Sequence, residues 1–241
     1  IRDSVASRGL GDVYKRQGKA VLFKKFADID GIDLEVDTED VDEFFNSVKV
    51  LGKSFGGINL EDIKAPECFI IEQRLKESLD IPVFHDDQHG TAIISLAGLL
   101  NALHLTNRDI RKTRVVVNGA GAAAIAGVEL FKALGMPHDN VIMCDSNGVV
   151  YKGRKEGMNQ WKSAHAAETE LRTLEEAAES SDVLMGLSLK GAFSEKIISS
   201  MADPSSGKSI GFAMVRRKVL CESKLSLNEG LGVVSIRKPF G

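Results

Sequence analysis

Two pairs of adjacent acidic residues are the first candidates for chemistry in this sequence. Glu61 and Asp62 follow one short apolar run, and Asp86 and Asp87 follow another. Adjacent carboxylates repel each other unless a cation or a lysine offsets their charge. Carboxylate oxygens are also the ligands that Mg²⁺ and Mn²⁺ prefer. The pairs therefore predict a divalent-metal site with ligands from Glu61, Asp62 and one of Asp86 or Asp87.

A glycine-rich loop follows both pairs in the sequence. Its pattern is G-x-G-x-x-A, in which the first glycine permits a tight turn and the second lets the backbone approach a pyrophosphate, while the small third residue lets a helix pack on a strand. The loop lies between a predicted strand and a predicted helix, as a dinucleotide-binding motif requires. It predicts NAD or NADP binding, and with the acidic pairs it indicates metal-assisted redox chemistry. The candidate cofactor-binding residues of this loop are Asn118, Gly119, Ala120, Gly121, Ala122, Ala123 and Ala124.

Three further residues bear on the choice between NAD and NADP. Asp145 ends the next predicted strand, where an acidic residue usually binds the ribose hydroxyls of NAD. Lys152 and Arg154 follow shortly afterwards and offer positive charge to a 2′-phosphate. The sequence leaves both cofactors open.

The elements that must position these residues alternate between strand and helix. Apolar periodicity, capping residues and glycines predict helices at 40–48, 66–79, 90–105, 122–134, 174–180 and 194–201, and strands at 58–60, 81–84, 114–118, 141–145, 182–187 and 209–214. Alternation of this kind is typical of a parallel sheet. We therefore predict an α/β chain with a doubly wound, Rossmann-like dinucleotide-binding domain, preceded by part of a second α/β domain.

The predicted domains divide the chain into four segments. Residues 1–17 show no clear helical or strand period and are interpreted as a non-native leader. Residues 18–88 form part of the catalytic domain with the metal ligands, residues 89–214 form the dinucleotide-binding domain, and residues 215–241 form a divergent tail.

The composition narrows the class of protein. A net charge of −3 and an aromatic content of 6% do not suit a nucleic-acid binder. The most apolar stretch is far shorter than the roughly 20 residues of a membrane span. The three cysteines, Cys68, Cys144 and Cys221, are widely separated and predict neither disulfides nor a zinc site. A soluble protein of the cytoplasm is expected.

Several long motifs resemble the malic enzyme family of bacteria, in the large class associated with NADP. The resemblance spans residues 18–214, and its most specific segments contain LED and HDDQHGTA. The motifs are GKAVLFKKFADID, FGGINLEDIKAPECF, IPVFHDDQHGTAII, VVNGAGAAAIA, MCDSNGVVYKGR and DVLMGLSLKGAFSEK.

The resemblance implies an activity and a role for each acidic residue. Such enzymes oxidise L-malate and decarboxylate it to pyruvate and CO2, using NADP or NAD together with Mg²⁺ or Mn²⁺. By that resemblance Glu61, Asp62 and Asp87 bind the metal, Lys19 is the catalytic lysine, and Asp86 pairs with Lys19. It also implies a homo-oligomer, and in some members a fused phosphotransacetylase-like domain.

The chain also departs from the family pattern. The family's catalytic tyrosine and substrate-binding arginine have no match before Gly18, and its asparagine segments have none after Met214. We therefore expect this chain to turn over malate very slowly or not at all. The alternatives are a fragment that binds nucleotide and metal without catalysis, and another dehydrogenase with a Rossmann domain.

Overall fold

The computed structural model describes residues 10–179, 181–188, 191–201 and 212–215. These residues form two compact units that divide after His85. The predicted domain boundary lies close by, after residue 88.

The first unit places a short parallel sheet among three helices. The strands β1 and β2 pair in parallel, with Ile58 opposite Val83 and Leu60 opposite His85. Both strands therefore end at the same edge of the sheet. The elements in chain order are α1 (Leu10–Ala27), α2 (Val41–Gly52), β1 (Ile58–Leu60), α3 (Glu67–Ser78) and β2 (Val83–His85).

Capping and apolar burial explain α2 and α3. The Asp40 side chain caps α2 by accepting a hydrogen bond of 2.7 Å from the Glu43 backbone N–H. Ile71 and Leu75 lie one helical turn apart on α3 and are fully buried. Both helices confirm the predicted positions to within a few residues.

The helix α1 differs from the sequence prediction. It begins at Leu10, so it includes residues 10–17, for which no helical period was found. Its apolar residues Val21, Leu22, Phe23 and Phe26 are all exposed within the described structure. Because these four side chains are exposed, they form no buried apolar stripe of the kind that predicts a helix.

The second unit contains a five-stranded sheet with the order β5-β4-β3-β6-β7. Strands β4, β3, β6 and β7 are parallel, and the short β5 is antiparallel to β4. A π-helical turn at Asp86–Gly90 opens the unit. The labelled elements are α4 (Thr91–Leu105), β3 (Val115–Asn118), α5 (Ala122–Ala133), β4 (Val141–Asp145), β5 (Gly148–Val149), α6 (Gln160–Ala164), α7 (Leu174–Glu179), β6 (Val183–Gly186), α8 (Glu195–Met201) and β7 (Phe212–Val215).

The chain reverses its direction of winding at β3. From β3 it passes to β4 on one side and then returns to β6 on the other side. This confirms the predicted doubly wound fold. Ligands of such folds bind outside the carboxyl ends of the strands at the switch point, which here is the end of β3.

The core of the second unit lies on the faces of this sheet. Val116, Cys144 and Leu184 come from three neighbouring strands and pack with Ile197 and Met201 of α8. Val115 and Val117 alternate with Val116 along β3 and are fully buried on the opposite face. Burial on both faces explains the continuous apolar strands of the sequence.

The cysteines and the apolar helices bear on the surroundings of the protein. Cys68 and Cys144 are buried free thiols, and burial raises the pKa of each to about 12. Cys221 lies outside the described residues. None of the described helices has the length and apolar character that a membrane span needs.

Candidate functional site

The glycine-rich loop lies at the switch point of the five-stranded sheet. The Gly119 N–H donates to the carbonyl of Cys144 on β4 at 2.8 Å, and the Asn118 carbonyl accepts from the Leu187 N–H, after β6, also at 2.8 Å. Gly119 has a φ of +140°, and a Cβ there would lie 2.9 Å from the Leu187 carbonyl oxygen. The first glycine of the motif is therefore required by both the backbone conformation and the space available.

The second glycine faces open space instead. A Cβ added at Gly121 would meet no protein atom within 4 Å. Gly121 is also the N-cap of α5, and no side chain of the described residues caps that helix end. The first-turn N–H groups and the helix dipole are therefore available to an anion, and the small Ala124 is buried below them. This geometry fits the pyrophosphate of a dinucleotide.

Asp145, at the end of β4, is held by two cationic side chains. The Arg154 guanidinium donates to both carboxylate oxygens at 2.8 and 2.6 Å, and the Lys162 ammonium donates to Oδ2 at 2.7 Å. All three side chains are at most 17% exposed. We call Asp145, Arg154 and Lys162 the Asp145 group, and it carries one positive charge in excess.

The two cations of the Asp145 group use their donors differently. Arg154 has five N–H donors, and all are used, by Asp145 and by the backbone carbonyls of Gly148, Val149 and Glu156. Lys162 has three donors, of which Asp145 and the Gly157 carbonyl take two. Among the residues that the structure describes, Lys162 is therefore the member with a donor left for a ligand.

The charge state of Asp145 follows from these contacts. Burial alone would raise the pKa of Asp145, but hydrogen bonds from Arg154 and Lys162 outweigh burial and hold the pKa below its ordinary value. Asp145 is therefore ionised at neutral pH, and its negative charge is offset within the protein.

Lys152, the other predicted cation, lies apart from the Asp145 group. Its ammonium pairs with the Glu168 carboxylate at 2.8 Å, and both side chains are well exposed. The structure therefore brings Arg154 and Lys162 to Asp145 and directs Lys152 to Glu168.

The first acidic pair lies just beyond the end of β1. The Glu61 carboxylate lies 3.5 Å from the Lys19 ammonium and accepts a hydrogen bond of 3.2 Å from the Asn59 side-chain amide. The Asn59 Oδ1 atom is buried and has no hydrogen-bond partner among the described residues. The predicted catalytic lysine and a predicted metal ligand are therefore neighbours within the first unit.

The backbone of Asp62 has an uncommon conformation. Its φ is +58°, in the left-handed region that few residues other than glycine adopt, although aspartate and asparagine are among them. Conformations of this kind concentrate at functional sites.

The second acidic pair begins the π-helical turn that follows β2. This turn packs against α4 and α5. A Cβ added at Gly90 would lie 2.6 Å from an Asp86 carboxylate oxygen, so the glycine makes room for that carboxylate. Single π-helical turns are frequent at functional sites.

The structure does not by itself assemble a metal centre. No three histidine, cysteine, aspartate or glutamate side chains of the described residues form a group that could hold a metal ion. The assignments of Glu61, Asp62 and Asp87 to a metal, and of Asp86 to Lys19, stay predictions.

Two family models match this chain. The malic enzyme NAD-binding domain matches residues 88–224, more than half of the chain. The chain belongs to the malic enzyme family. The malic enzyme N-terminal domain matches residues 5–76, a range that includes most of the segment 1–17. The interpretation of that segment as a non-native leader stays a prediction.

Curated malic enzymes are closely similar to the chain. It is 66% identical over 207 residues to the NADP-dependent malic enzyme of Rhizobium meliloti, covering 83% of this chain and 27% of that protein. It is 46% identical over 209 residues to the NAD-dependent malic enzyme of the same organism, covering 84% of this chain and 27% of that protein. The chain spans about a quarter of the length of these relatives.

Solved malic enzyme structures share the fold. The NAD-dependent malic enzyme of Thermotoga maritima aligns with a TM-score of 0.77 at 40% identity, over 85% of this chain and 54% of that chain. The malic enzyme of Pyrococcus horikoshii aligns with a TM-score of 0.76 at 33% identity, over 86% of this chain and 49% of that chain.

Sequence reasoning missed Lys162 and Asn59. Lys162 lies 17 residues after Asp145 on a helix that was not predicted. Asn59 lies inside a strand that was predicted, but a single asparagine there gave no sign of a contact to Glu61. The Asn159 cap that begins α6 is the one sequence signal that pointed toward Lys162.

Proposed function

We propose that the protein containing this chain oxidises L-malate and decarboxylates it to pyruvate and CO2, with NADP as the hydride acceptor and Mg²⁺ or Mn²⁺ as the metal. Membership of the malic enzyme family supports the reaction. The observation that carries the choice of cofactor is the Asp145 group.

The Asp145 group favours NADP over NAD for an electrostatic reason. An unpaired acid at this position of a Rossmann fold binds the ribose hydroxyls and would repel a 2′-phosphate. Here the Asp145 charge is offset by Arg154, and Lys162 adds a second positive charge with one N–H donor left over. A 2′-phosphate would accept that donor in a charge-assisted hydrogen bond. NAD has an uncharged 2′-hydroxyl at this position, which gains no charge-assisted bond from the ammonium.

The residues of the first unit fit the metal that the reaction requires. Glu61 and Asp62 offer the oxygen ligands that Mg²⁺ and Mn²⁺ prefer, and we propose Asp87 as the third protein ligand. The buried Asn59 Oδ1 atom, without a partner among the described residues, adds an acceptor beside Glu61. When bound, the metal would supply Lewis-acid stabilisation of negative charge on the substrate oxygen, and the cofactor would supply the hydride acceptor.

Lys19 and Asp86 have proton-handling roles in this proposal. Lys19 accepts the proton of the C2 hydroxyl, and its position 3.5 Å from Glu61 supports a place beside the substrate. The family resemblance implies that Asp86 is the partner of Lys19, and that assignment stays an expectation. The glycine-rich loop, Gly119 to Ala124, binds the pyrophosphate at the N-terminus of α5.

Location and partners belong to the proposal as well. The free thiols of Cys68 and Cys144 support a reducing compartment, and we infer the cytoplasm. Homo-oligomers and a fused phosphotransacetylase-like domain stay expectations from the family resemblance.

The cofactor assignment is tested with Lys162→Met, which keeps the length of the side chain and removes the charge. We expect the dissociation constant for NADP, measured by isothermal titration calorimetry, to rise about tenfold, which corresponds to about 1.4 kcal/mol. The dissociation constant for NAD should change less than about twofold, because NAD lacks the 2′-phosphate. Lys112→Met, an exposed lysine of the same unit, controls for the loss of one surface charge.

Two results would contradict the assignment. Equal weakening of NADP and NAD would mean that Lys162 supports the fold rather than the 2′-phosphate. A selective loss of NADP affinity in Lys152→Met, with none in Lys162→Met, would assign the binding of the 2′-phosphate to Lys152, which pairs with Glu168.

A further inference from the structure

A cluster of basic side chains lies at the end of α5, away from the glycine-rich loop that opens the same helix. The Lys132 ammonium lies 2.9 Å from His138 Nδ1 and 3.1 Å from His165 Nδ1. An ammonium group can only donate, so both Nδ1 atoms accept and both rings carry their proton on Nε2. We call Lys132, His138 and His165 the Lys132 cluster.

The remaining ring contacts agree with this proton arrangement. His138 Nε2 donates to the Ala166 carbonyl at 3.1 Å. His165 Nε2 faces the Glu129 carboxylate at 3.6 Å, which is too long for a hydrogen bond but places an N–H opposite a negative charge. The Lys132 ammonium therefore bridges the two rings, and the other nitrogen of each ring faces an oxygen atom.

The cluster is joined directly to α6, the helix that carries Lys162. His165 is the C-cap of α6, is only 6% exposed, and donates its backbone N–H to the Lys162 carbonyl at 3.0 Å. The residues that follow it are held as well, since the Glu168 N–H donates to Asp139 at 3.2 Å. The C-terminal end of α6 is thus fixed to α5 and to the turn after it.

A helix as short as α6 cannot hold its position alone. It has five residues, whereas isolated helices shorter than about 12 residues are marginal in water. Its other end is fixed by Asn159, which caps the Lys162 N–H at 2.9 Å. The place of the Lys162 backbone therefore depends on contacts at both ends, and the Lys132 cluster supplies the buried one.

We propose that Lys132 is a positioning residue for cofactor selection, which holds α6 through His165 so that the Lys162 ammonium stays at Asp145 with a donor free for a 2′-phosphate. This inference rests on the proposed role of Lys162. It adds a residue that touches neither the cofactor nor Asp145, and it links the far end of α5 to the choice between NADP and NAD.

The test compares Lys132→Met with Lys132→Arg by calorimetric titration of NADP and NAD into the full chain. Methionine keeps the apolar stem and removes the donors, so we expect the dissociation constant for NADP to rise three- to tenfold and that for NAD to change less than twofold. Arginine restores a charged donor and should recover most of the NADP affinity. Lys112→Met is again the matched control, and the melting temperature of each variant monitors folding.

A double-mutant cycle separates the two hypotheses. In the Lys162→Met background, Lys132→Met should leave NADP binding unchanged, because the group it positions is already missing. If Lys162→Met does not weaken NADP binding, the proposed function fails. If Lys162→Met does, while Lys132→Met weakens NADP and NAD equally or weakens neither, only the positioning role fails.

A second variant covers the case in which Lys132→Met does not fold. That variant is Lys132→Gln, a milder neutral change, and its control is His138→Gln, which changes an exposed ring and leaves the contact between Lys132 and His165 in place. We expect Lys132→Gln to lose NADP affinity selectively and His138→Gln to keep the ratio of the two affinities. A folded Lys132→Gln that keeps this ratio would overturn the proposal.

Discussion

The glycine-rich loop and the first acidic pair both follow the carboxyl ends of parallel strands, yet the protein prepares them in different ways. The loop after β3 is fixed by backbone hydrogen bonds to both neighbouring strands, and the nearby charge of Asp145 is offset by two cations. The pair after β1 follows a strand of three residues, and Asp62 adopts a left-handed backbone. Near the glycine-rich loop, cations of the protein already offset the charge of Asp145. The first acidic pair instead places two carboxylates side by side, which a bound cation would stabilise.

The largest effect should come from removing a carboxylate of the acidic pair. Asp62→Asn keeps a residue type that tolerates a φ of +58° and removes the negative charge. We expect the affinity for Mn²⁺ alone, measured by electron paramagnetic resonance, to fall on the order of 100-fold, since loss of a direct ligand should cost at least as much as loss of an outer-shell partner. NADP affinity should stay within about twofold, because the Asp145 group is untouched.

Asp42→Asn is the matched control for this prediction. Asp42 is an exposed carboxylate of the same unit that pairs with Arg74. If Asp42→Asn and Asp62→Asn weaken Mn²⁺ binding equally, or if neither does, the assignment of Asp62 to the metal is wrong.

The next largest effects should separate the two glycines of the loop. Gly119→Ala places a Cβ 2.9 Å from the Leu187 carbonyl oxygen at a φ of +140°, and we expect a loss of about 2 kcal/mol in the free energy of unfolding. Gly121→Ala meets no protein atom, so its stability should be unchanged while its NADP affinity falls about tenfold, because the Cβ occupies space for the pyrophosphate. Urea unfolding and calorimetric titration measure the two quantities.

The contrast between the glycines is the sensitive part of that experiment. If Gly121→Ala binds NADP as tightly as the unchanged chain does, the pyrophosphate does not bind at this loop. A Gly119→Ala variant with unchanged stability would show that the loop relaxes, so the backbone bonds to Cys144 and Leu187 would not fix it as described.

The same contrast explains what the sequence could predict. The sequence could predict the positions of four residues in the strand-helix-strand unit, because such units place particular residue types at a known spacing. These residues are Gly119, Gly121, Ala124 and Asp145. The strands and most helices were predictable from their apolar periods and caps. The sequence predicted a doubly wound sheet but not the order of its strands, because the pairing of distant strands leaves no local pattern.

The residues that escaped prediction share a physical cause. Lys162 and His165 belong to α6 and its C-cap, a helix held by tertiary hydrogen bonds rather than by an apolar stripe. The antiparallel β5 has two residues, too few to show a period. Lys152 is close to Asp145 in sequence, but its ammonium pairs with Glu168, and sequence proximity does not determine the direction of a side chain.

The smallest expected effect concerns the pH dependence of the Asp145 group. Burial opposes the ionised form of Asp145, and hydrogen bonds from Arg154 and Lys162 overcome it, so the folded-state pKa lies below the unfolded value of about 3.9. A depressed folded-state pKa stabilises the protein above the unfolded pKa, and that stabilisation is lost as the pH falls through the folded pKa. Lys162→Met removes one of the two hydrogen-bonding cations, and solvent screening and the remaining Arg154 limit the cost to about 1 kcal/mol or less. Urea unfolding should therefore show a constant difference from the unchanged chain between neutral pH and about pH 4, shrinking below that. A difference that grows on acidification would mean that Lys162 stabilises the fold through some group other than the Asp145 carboxylate. The Asp145 charge would then not depend on Lys162 for its offset, and the contrast with the acidic pair would be weaker.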